Sequence, residues 1–182
     1  MYLTKSIIRN YSGLETTQKA VLTYTDRNSS SFKARVFLSH SHVDVKDLSK
    51  DEVIALIRML IALSYDVYID WLDPDMPPET NEETANRLKG KIDECDRFLL
   101  VATTNAINSR WVPWELGYAD KSKSIDNIAV IPIADSSGKW EGAEYLHLYR
   151  QVLITTDNYL AVFPPAATKN GSVIGYWMTF GK

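Results

Sequence analysis

Three short stretches of this chain are apolar without interruption: Val36-Phe37-Leu38, Phe98 to Ala102 and Ile128 to Ile133. A strand that reads as a continuous apolar run, not an alternation, is covered on both faces, as inside a parallel sheet. Between these runs apolar residues recur at helical spacing: Val53, Leu56, Ile57, Leu60 and Ile61, then Ala85, Leu88, Ile92 and Cys95. Strand and helix in alternation leave few topologies. Right-handed crossovers place the strands side by side and parallel, with helices on both faces.

Five strands are expected on this basis: Arg35–Ser39, Asp66–Asp70, Arg97–Thr103, Ile128–Ile133 and the shorter Gln151–Thr155. Ser49 with Glu52, and Thr80 with Glu83, have the spacing of a capping box and start two of the helices. A third helix starts in the stretch Ser109 to Tyr118. The loop from Trp71 to Thr80 carries Pro74, Pro77 and Pro78, which excludes regular structure there. The stretch 134–150 reads as a loop with a helical turn at Tyr145 to Tyr149. The fold class is α/β, a five-stranded parallel sheet with helices on both faces.

The polar run Asp26 to Ser31 reads as a linker, so residues 1–33 are taken as an N-terminal extension and 34–156 as the domain. Residues 157–182 form an aromatic tail, with Tyr159, Phe163, Tyr176, Trp177 and Phe180, expected to pack on the domain as an edge hairpin or irregular cover. A length of 182 residues with 45% hydrophobic and 24% charged residues suits one globular domain. A net charge of -3 gives no basic field for nucleic acid. No run approaches the roughly 20 apolar residues of a membrane helix, and no signal-peptide core opens the sequence. One cysteine, Cys95, excludes an internal disulfide and any multi-cysteine metal site. A cytoplasmic setting is the default.

Ligands of such sheets bind beyond the carboxyl ends of the strands. Those ends are Ser39-His40, Asp70-Trp71, Thr103-Thr104 and the loop into Glu115. On a helix Trp111, Glu115 and Tyr118 share one face, which sets a carboxylate between two aromatic rings. Burial of such a group is costly unless water or a ligand reaches it. Spacing alone leaves a second reading open, a surface glutamate paired with Arg110 or Lys121. Trp114 and Leu116 are expected to face the sheet as core, and Cys95 to be an inert core thiol. His40 and His42, two apart on a loop without a third ligand, read as incidental, and no metal site is expected. Asp70 either caps the proline loop or meets substrate, and Trp71 either packs or stacks. Neither a phosphate-cradling glycine loop nor a dinucleotide glycine fingerprint is present.

Together, Arg35-Val36-Phe37-Leu38-Ser39-His40-Ser41 with Asp44, then Tyr68-Ile69-Asp70 before a proline-bearing loop, then Ser109-x-Trp111-x-x-x-Glu115, resemble a TIR (Toll/interleukin-1 receptor) domain over roughly residues 34 to 156. The resemblance implies a flavodoxin-like sheet and, as in many bacterial members, cleavage or cyclisation of NAD. It implies that Glu115 is catalytic, that Ser39, His40, Asp70 and Trp71 border the nucleotide, and that Trp111 walls the ribose or nicotinamide side. NAD is then the substrate, with no further cofactor. It suggests anti-phage defence of the Thoeris kind, in which a small TIR protein makes a cyclic signal for a separate effector. Self-association through the Trp71–Thr80 loop and adjacent helices is a further implication. Two alternatives stand beside it: a non-catalytic interaction module, and a nucleoside deoxyribosyltransferase on a related fold, which also uses a glutamate at a ribose.

Overall fold

A computed structural model describes residues 1–4, 6–8, 34–46, 56, 66–77, 79 and 81–180. The strands are β1 (Leu3–Thr4), β2 (Arg35–Ser39), β3 (Asp66–Tyr68), β4 (Arg97–Ala102), β5 (Ile128–Ala134), β6 (Arg150–Ile154), β7 (Leu160–Phe163) and β8 (Ser172–Val173). The helices are α1 (His42–Lys46), α2 (Glu82–Glu94), α3 (Thr104–Ile107), α4 (Val112–Ser122) and α5 (Ile174–Phe180). The helix expected after Ser49 lies outside the described residues except for Leu56, which is helical and buried.

All the strands join one sheet, in the order β3-β2-β4-β5-β6-β7-β8, with β1 beside β5. The five expected strands are its parallel centre, since each of the pairs β2–β3, β2–β4, β4–β5 and β5–β6 is parallel. β3 and β4 lie on opposite sides of β2, so the chain reverses its direction of winding there. The carboxyl ends of β2 and β4 therefore form a switch point, where a crevice opens above the sheet.

The sheet is larger than the expected five strands. The aromatic tail supplies β7 and β8, which run antiparallel beyond β6, and then α5. At the other end of the sequence β1 pairs with the last residues of β5 (Leu3 with Ile133, Thr4 with Ala134). The Met1 amine donates to the Ile154 carbonyl, and the Ile154 amide donates back to the Met1 carbonyl, both at 2.9 Å. β1 thus bridges the ends of β5 and β6, which pair with each other only at Ala129 and Val130.

Strand alternation sorts the core into two layers. Val36, Leu38, Leu99, Val101, Ala129 and Ile131 face one side, covered by Leu56, Ile174, Trp177 and Met178 together with Leu3 and Ile8. Phe37, Phe98, Leu100, Ile128 and Val130 face the other, under Leu88 and Ile92 of α2 and Val112, Leu116 and Ala119 of α4. Each buried Val, Leu, Ile, Phe or Met among them contributes about 1.5–3 kcal/mol.

α5 is anchored at the amino ends of the strands. The buried Arg97 guanidinium lies 5.5 Å from the centre of the Trp177 ring and donates from Nε to the Trp177 carbonyl at 3.1 Å. It also donates to Asn127 Oδ1, and the Trp177 indole donates to the Asp126 carbonyl at 2.8 Å.

The start of α2 falls one residue later than the Thr80 and Glu83 spacing suggests. Asn81 is the cap: its side chain accepts from the Thr84 amide at 3.0 Å, and Thr84 Oγ1 accepts from the Asn81 amide at 3.4 Å. The expected second strand also ends early, because Asp70 opens a 3-10 turn, Asp70–Leu72.

Candidate active site

Parity along β2 decides which way Ser39 points. Phe37 and Ser39 share a face, and that face is the one on which α4 packs. Ser39 therefore ends β2 directly under α4, and its Oγ donates to Glu115 Oε2 at 2.6 Å. Glu115 lies in the first turn of α4, where Pro113 is tolerated because the first amides of a helix have no partners within it. The helix dipole favours an anion at that end. Burial opposes it and is the larger effect. At 5% exposure the Glu115 carboxyl is pushed up to about 7, chiefly by desolvation; the Ser39 bond pulls it down and the Asp70 charge pushes it up. The surface-pair alternative with Arg110 or Lys121 does not hold, because this carboxyl is inside the protein.

Glu115 forms one wall of a cleft of about 250 Å³ at the switch point. His40, Asp70 and Trp111 line it, as do Met76, Pro77 and Glu79 of the proline loop. The sequence-expected residues Ser39, His40, Asp70, Trp111 and Glu115 are therefore neighbours at one rim. Trp71 has its backbone in the Asp70–Leu72 turn, and its side chain lies outside the described residues.

The aromatic surroundings differ from the expected ones. Tyr118 does not flank Glu115. Its hydroxyl donates to Asp93 Oδ2 of α2 at 2.7 Å. Trp114 is half-buried, not core: it meets Trp111 edge-on at 5.2 Å, stacks on Tyr118 at 6.2 Å, and has Lys89 Nζ at 5.7 Å from its centre. Positions 111, 114 and 118 form the α2-facing stripe of α4, while 112, 115, 116 and 119 form the sheet-facing one. Glu115 stands at the edge of the second stripe, where the sheet ends and the cleft begins. Leu116 is core, as expected.

His40 is 5% exposed, and burial pushes its imidazole below the usual histidine range, partly opposed by the Asp70 charge. Asp70 Oδ2 lies 2.7 Å from His42 Nε2, and Asp70 Oδ1 lies 3.9 Å from His40 Nδ1. The three side chains bring one nitrogen or oxygen each to within 4.8 Å of one another. Sequence spacing showed the two histidines and missed Asp70 as a third member, because it arrives from another strand.

Two further carboxylates hold segments beside the cleft: Asp73, which the sequence did not single out, and Asp44, which it placed only within the TIR-like motif, with no task of its own. Asp73 braces the proline loop: it accepts from the Tyr68 hydroxyl at 2.7 Å and from Arg87 Nε and Nη2 at 2.9 and 2.7 Å. The Arg87 guanidinium holds the Asp73 carboxyl well below the usual carboxylate range. This task, capping the loop, was one of the readings of Asp70. The buried Asp44 of α1 accepts from Thr103 Oγ1, and from Asn105 Nδ2 at 2.7 Å, which ties α1 to the end of β4. An Asp-Pro-Asp turn and a lone Asp after the first strand were the only signals of these roles.

Comparison with known proteins agrees with the fold. A TIR domain profile matches residues 36–160. A probable 3' cyclic ADP-D-ribose synthase, ThsB', of Bacillus cereus (strain MSX-D12) is 33% identical over 121 residues, 64% of this chain and 59% of the relative. A putative cyclic ADP-D-ribose synthase, TIR2, of Cytobacillus dafuensis is 33% identical over 87 residues, 46% of this chain and 22% of the relative. The chain thus spans less than two thirds of the length of either relative. The matched span runs from β2 into β7 and contains every residue placed at the cleft, and on this evidence the chain belongs to the TIR domain family.

Proposed function

We propose that this protein cleaves NAD at the bond between ribose and nicotinamide and closes the ADP-ribosyl group into a cyclic isomer or passes it to water. The observation that carries the reading is the single buried carboxyl of Glu115, held by Ser39 on the cleft at the switch point. Glycosidases with poor leaving groups need two carboxyls, one to donate a proton. Nicotinamide is bonded through a cationic nitrogen and departs neutral, so no proton donor is required. One anion that accepts from the ribose hydroxyls and faces the developing oxocarbenium charge is sufficient.

The other side chains divide the remaining work. Ser39 fixes the rotamer of Glu115. Trp111 walls the ribose or nicotinamide side and excludes water, whose access decides between hydrolysis and cyclisation. His40, Asp70 and Trp71 border the nucleotide. A dinucleotide carrying a cationic ring also favours the ionised form of Glu115, so binding the substrate charges its own catalyst.

The relatives' names support a cyclic product; a signalling role in bacterial defence through a separate effector belongs to the proposal as what the resemblance implies. Self-association through the Trp71–Thr80 loop belongs to the same proposal: Leu72 is exposed there, while Met76 and Pro77 of the loop line the cleft. The setting is cytoplasmic, where NAD is available. Among the described residues no helix is long and apolar enough to cross a membrane. Incubation of the protein with NAD and chromatography of the products tests the reading. Release of nicotinamide with a cyclic ADP-ribose isomer is expected. No nicotinamide, even from concentrated protein, overturns it in favour of an interaction module, and transfer of deoxyribose between bases would favour the transferase.

A further inference from the structure

The geometry points to a divalent transition-metal site formed by His40, His42 and Asp70 at the cleft, with its open coordination position directed to the diphosphate of a bound dinucleotide. The donors come from three elements: His40 follows β2, His42 opens α1, and Asp70 opens the turn after β3. His42 Nε2 lies 2.7 Å from Asp70 Oδ2 and His40 Nδ1 lies 3.9 Å from Asp70 Oδ1, and one donor atom from each of the three residues lies within 4.8 Å of the others. Ligand atoms on one tetrahedral ion, with bonds of about 2.0–2.1 Å, lie roughly 3.3 Å apart, a value these distances bracket. Small side-chain rotations close the set, and His42, exposed at 60%, has room to make them.

Two imidazoles and one carboxylate make a borderline donor set. It suits Zn²⁺, Co²⁺ or Ni²⁺, whereas Mg²⁺ and Ca²⁺ prefer all-oxygen sites. Three protein ligands leave one position for an outside group, the arrangement of an ion that meets substrate. All three residues line the cleft, so that position faces the bound molecule. The same cleft carries the carboxyls of Asp70, Glu79 and Glu115. A diphosphate that enters meets repulsion from these anions, and a divalent ion on Asp70 reverses the local field. This anchoring role rests on the NAD reading above; the metal site does not.

The test is a titration of the chelator-treated full chain with ZnCl₂ by calorimetry and with CoCl₂ by visible absorption. One ion per chain is expected, bound at least tenfold more weakly after His42→Ala or Asp70→Ala, with circular dichroism unchanged. His42→Cys, which retains a ligand atom, should keep the ion and add thiolate-to-cobalt absorption, while His147→Ala should bind as wild type. Absence of stoichiometric binding, or variants that bind equally well, overturns the site. A second titration uses ADP-ribose with and without one equivalent of Zn²⁺. Binding at least fivefold tighter with the ion is expected, and equal or weaker binding overturns the anchoring role. Loss of the NAD reading would appear as missing nicotinamide release and would leave the zinc titration intact.

Discussion

Ser39 Oγ donates to Glu115 Oε2 at 2.6 Å, a contact between residues 76 apart in sequence. It joins the last residue of β2 to the first turn of α4, which crosses above it. A serine at that place gives the buried carboxylate a partner without neutralising it. The expected consequences are a steep loss of nicotinamide release for Glu115→Gln, about 10³-fold, and a milder loss, roughly tenfold, for Ser39→Ala. Parallel rate measurements check this; equal activity of Glu115→Gln and wild type would remove Glu115 from the mechanism.

The pH dependence follows from the same pair. Glu115 acts as an anion, and its carboxyl is pushed up to about 7 by burial. The value of kcat/KM should therefore rise with pH through about 7 and then level, because this ratio reports ionisation of the free enzyme. The Ser39 bond favours the charged form, so Ser39→Ala should displace the limb to higher pH. A limb near 4.5 in both proteins would contradict the assignment.

Stability should move in the opposite sense to activity. Below about 4.5 Glu115 is protonated folded and unfolded, and it costs nothing. Between that value and about 7 the unfolded chain ionises first, so the folded state loses stability as pH rises. The full cost, about 3 kcal/mol, is present above pH 7. Glu115→Gln should thus melt higher than wild type at pH 8, and the gap should close towards pH 4.5, as followed by thermal denaturation.

Arg87 and Asp73 brace the proline loop that walls the cleft. Arg87→Ala should lower stability and raise KM for NAD more than it lowers kcat, since the loop shapes binding. The depressed Asp73 carboxyl adds stability that is present above the unfolded value near 4 and lost as pH falls below it. The stability gap between wild type and Asp73→Asn should therefore shrink from pH 5 to pH 2 in urea titrations.

Cys95 offers a control on the fold. Its thiol is 3% exposed and pushed up to about 12 by burial, so it should resist iodoacetamide at pH 8 until the protein is unfolded. Alkylation of the native chain within minutes would contradict the packing of α2 on the sheet.

The legible part of this structure was the part with a period. Unbroken apolar runs identified β2, β4 and β5, because they are patterns within one segment; spacing alone left Glu115 open between the cleft and the surface, and its burial is a matter of geometry. Trp114 was misassigned to the core because helical spacing separates two stripes without telling which of them faces the sheet. The cap of α2 slipped by one residue because Thr80 with Glu83 and Asn81 with Thr84 satisfy the same rule, and only geometry decides. Asp70 as a companion of two histidines, and Asp73 as the loop's brace, depend on contacts between segments. β1 is two residues long, too short to show any period.

That short strand has a consequence for how the chain comes to be folded. Leu3 and Ile8 share one core cluster with Ile174, Trp177 and Met178, and Met1 meets Ile154 across 153 positions. Contacts this distant close late and slowly, after the loop between them has lost its freedom. On the ribosome residues 1–8 must wait until residues 154–178 have been made. The gap between the ends of β5 and β6 that β1 bridges stays open until then, so arrested nascent chains that lack α5 should remain sensitive to protease.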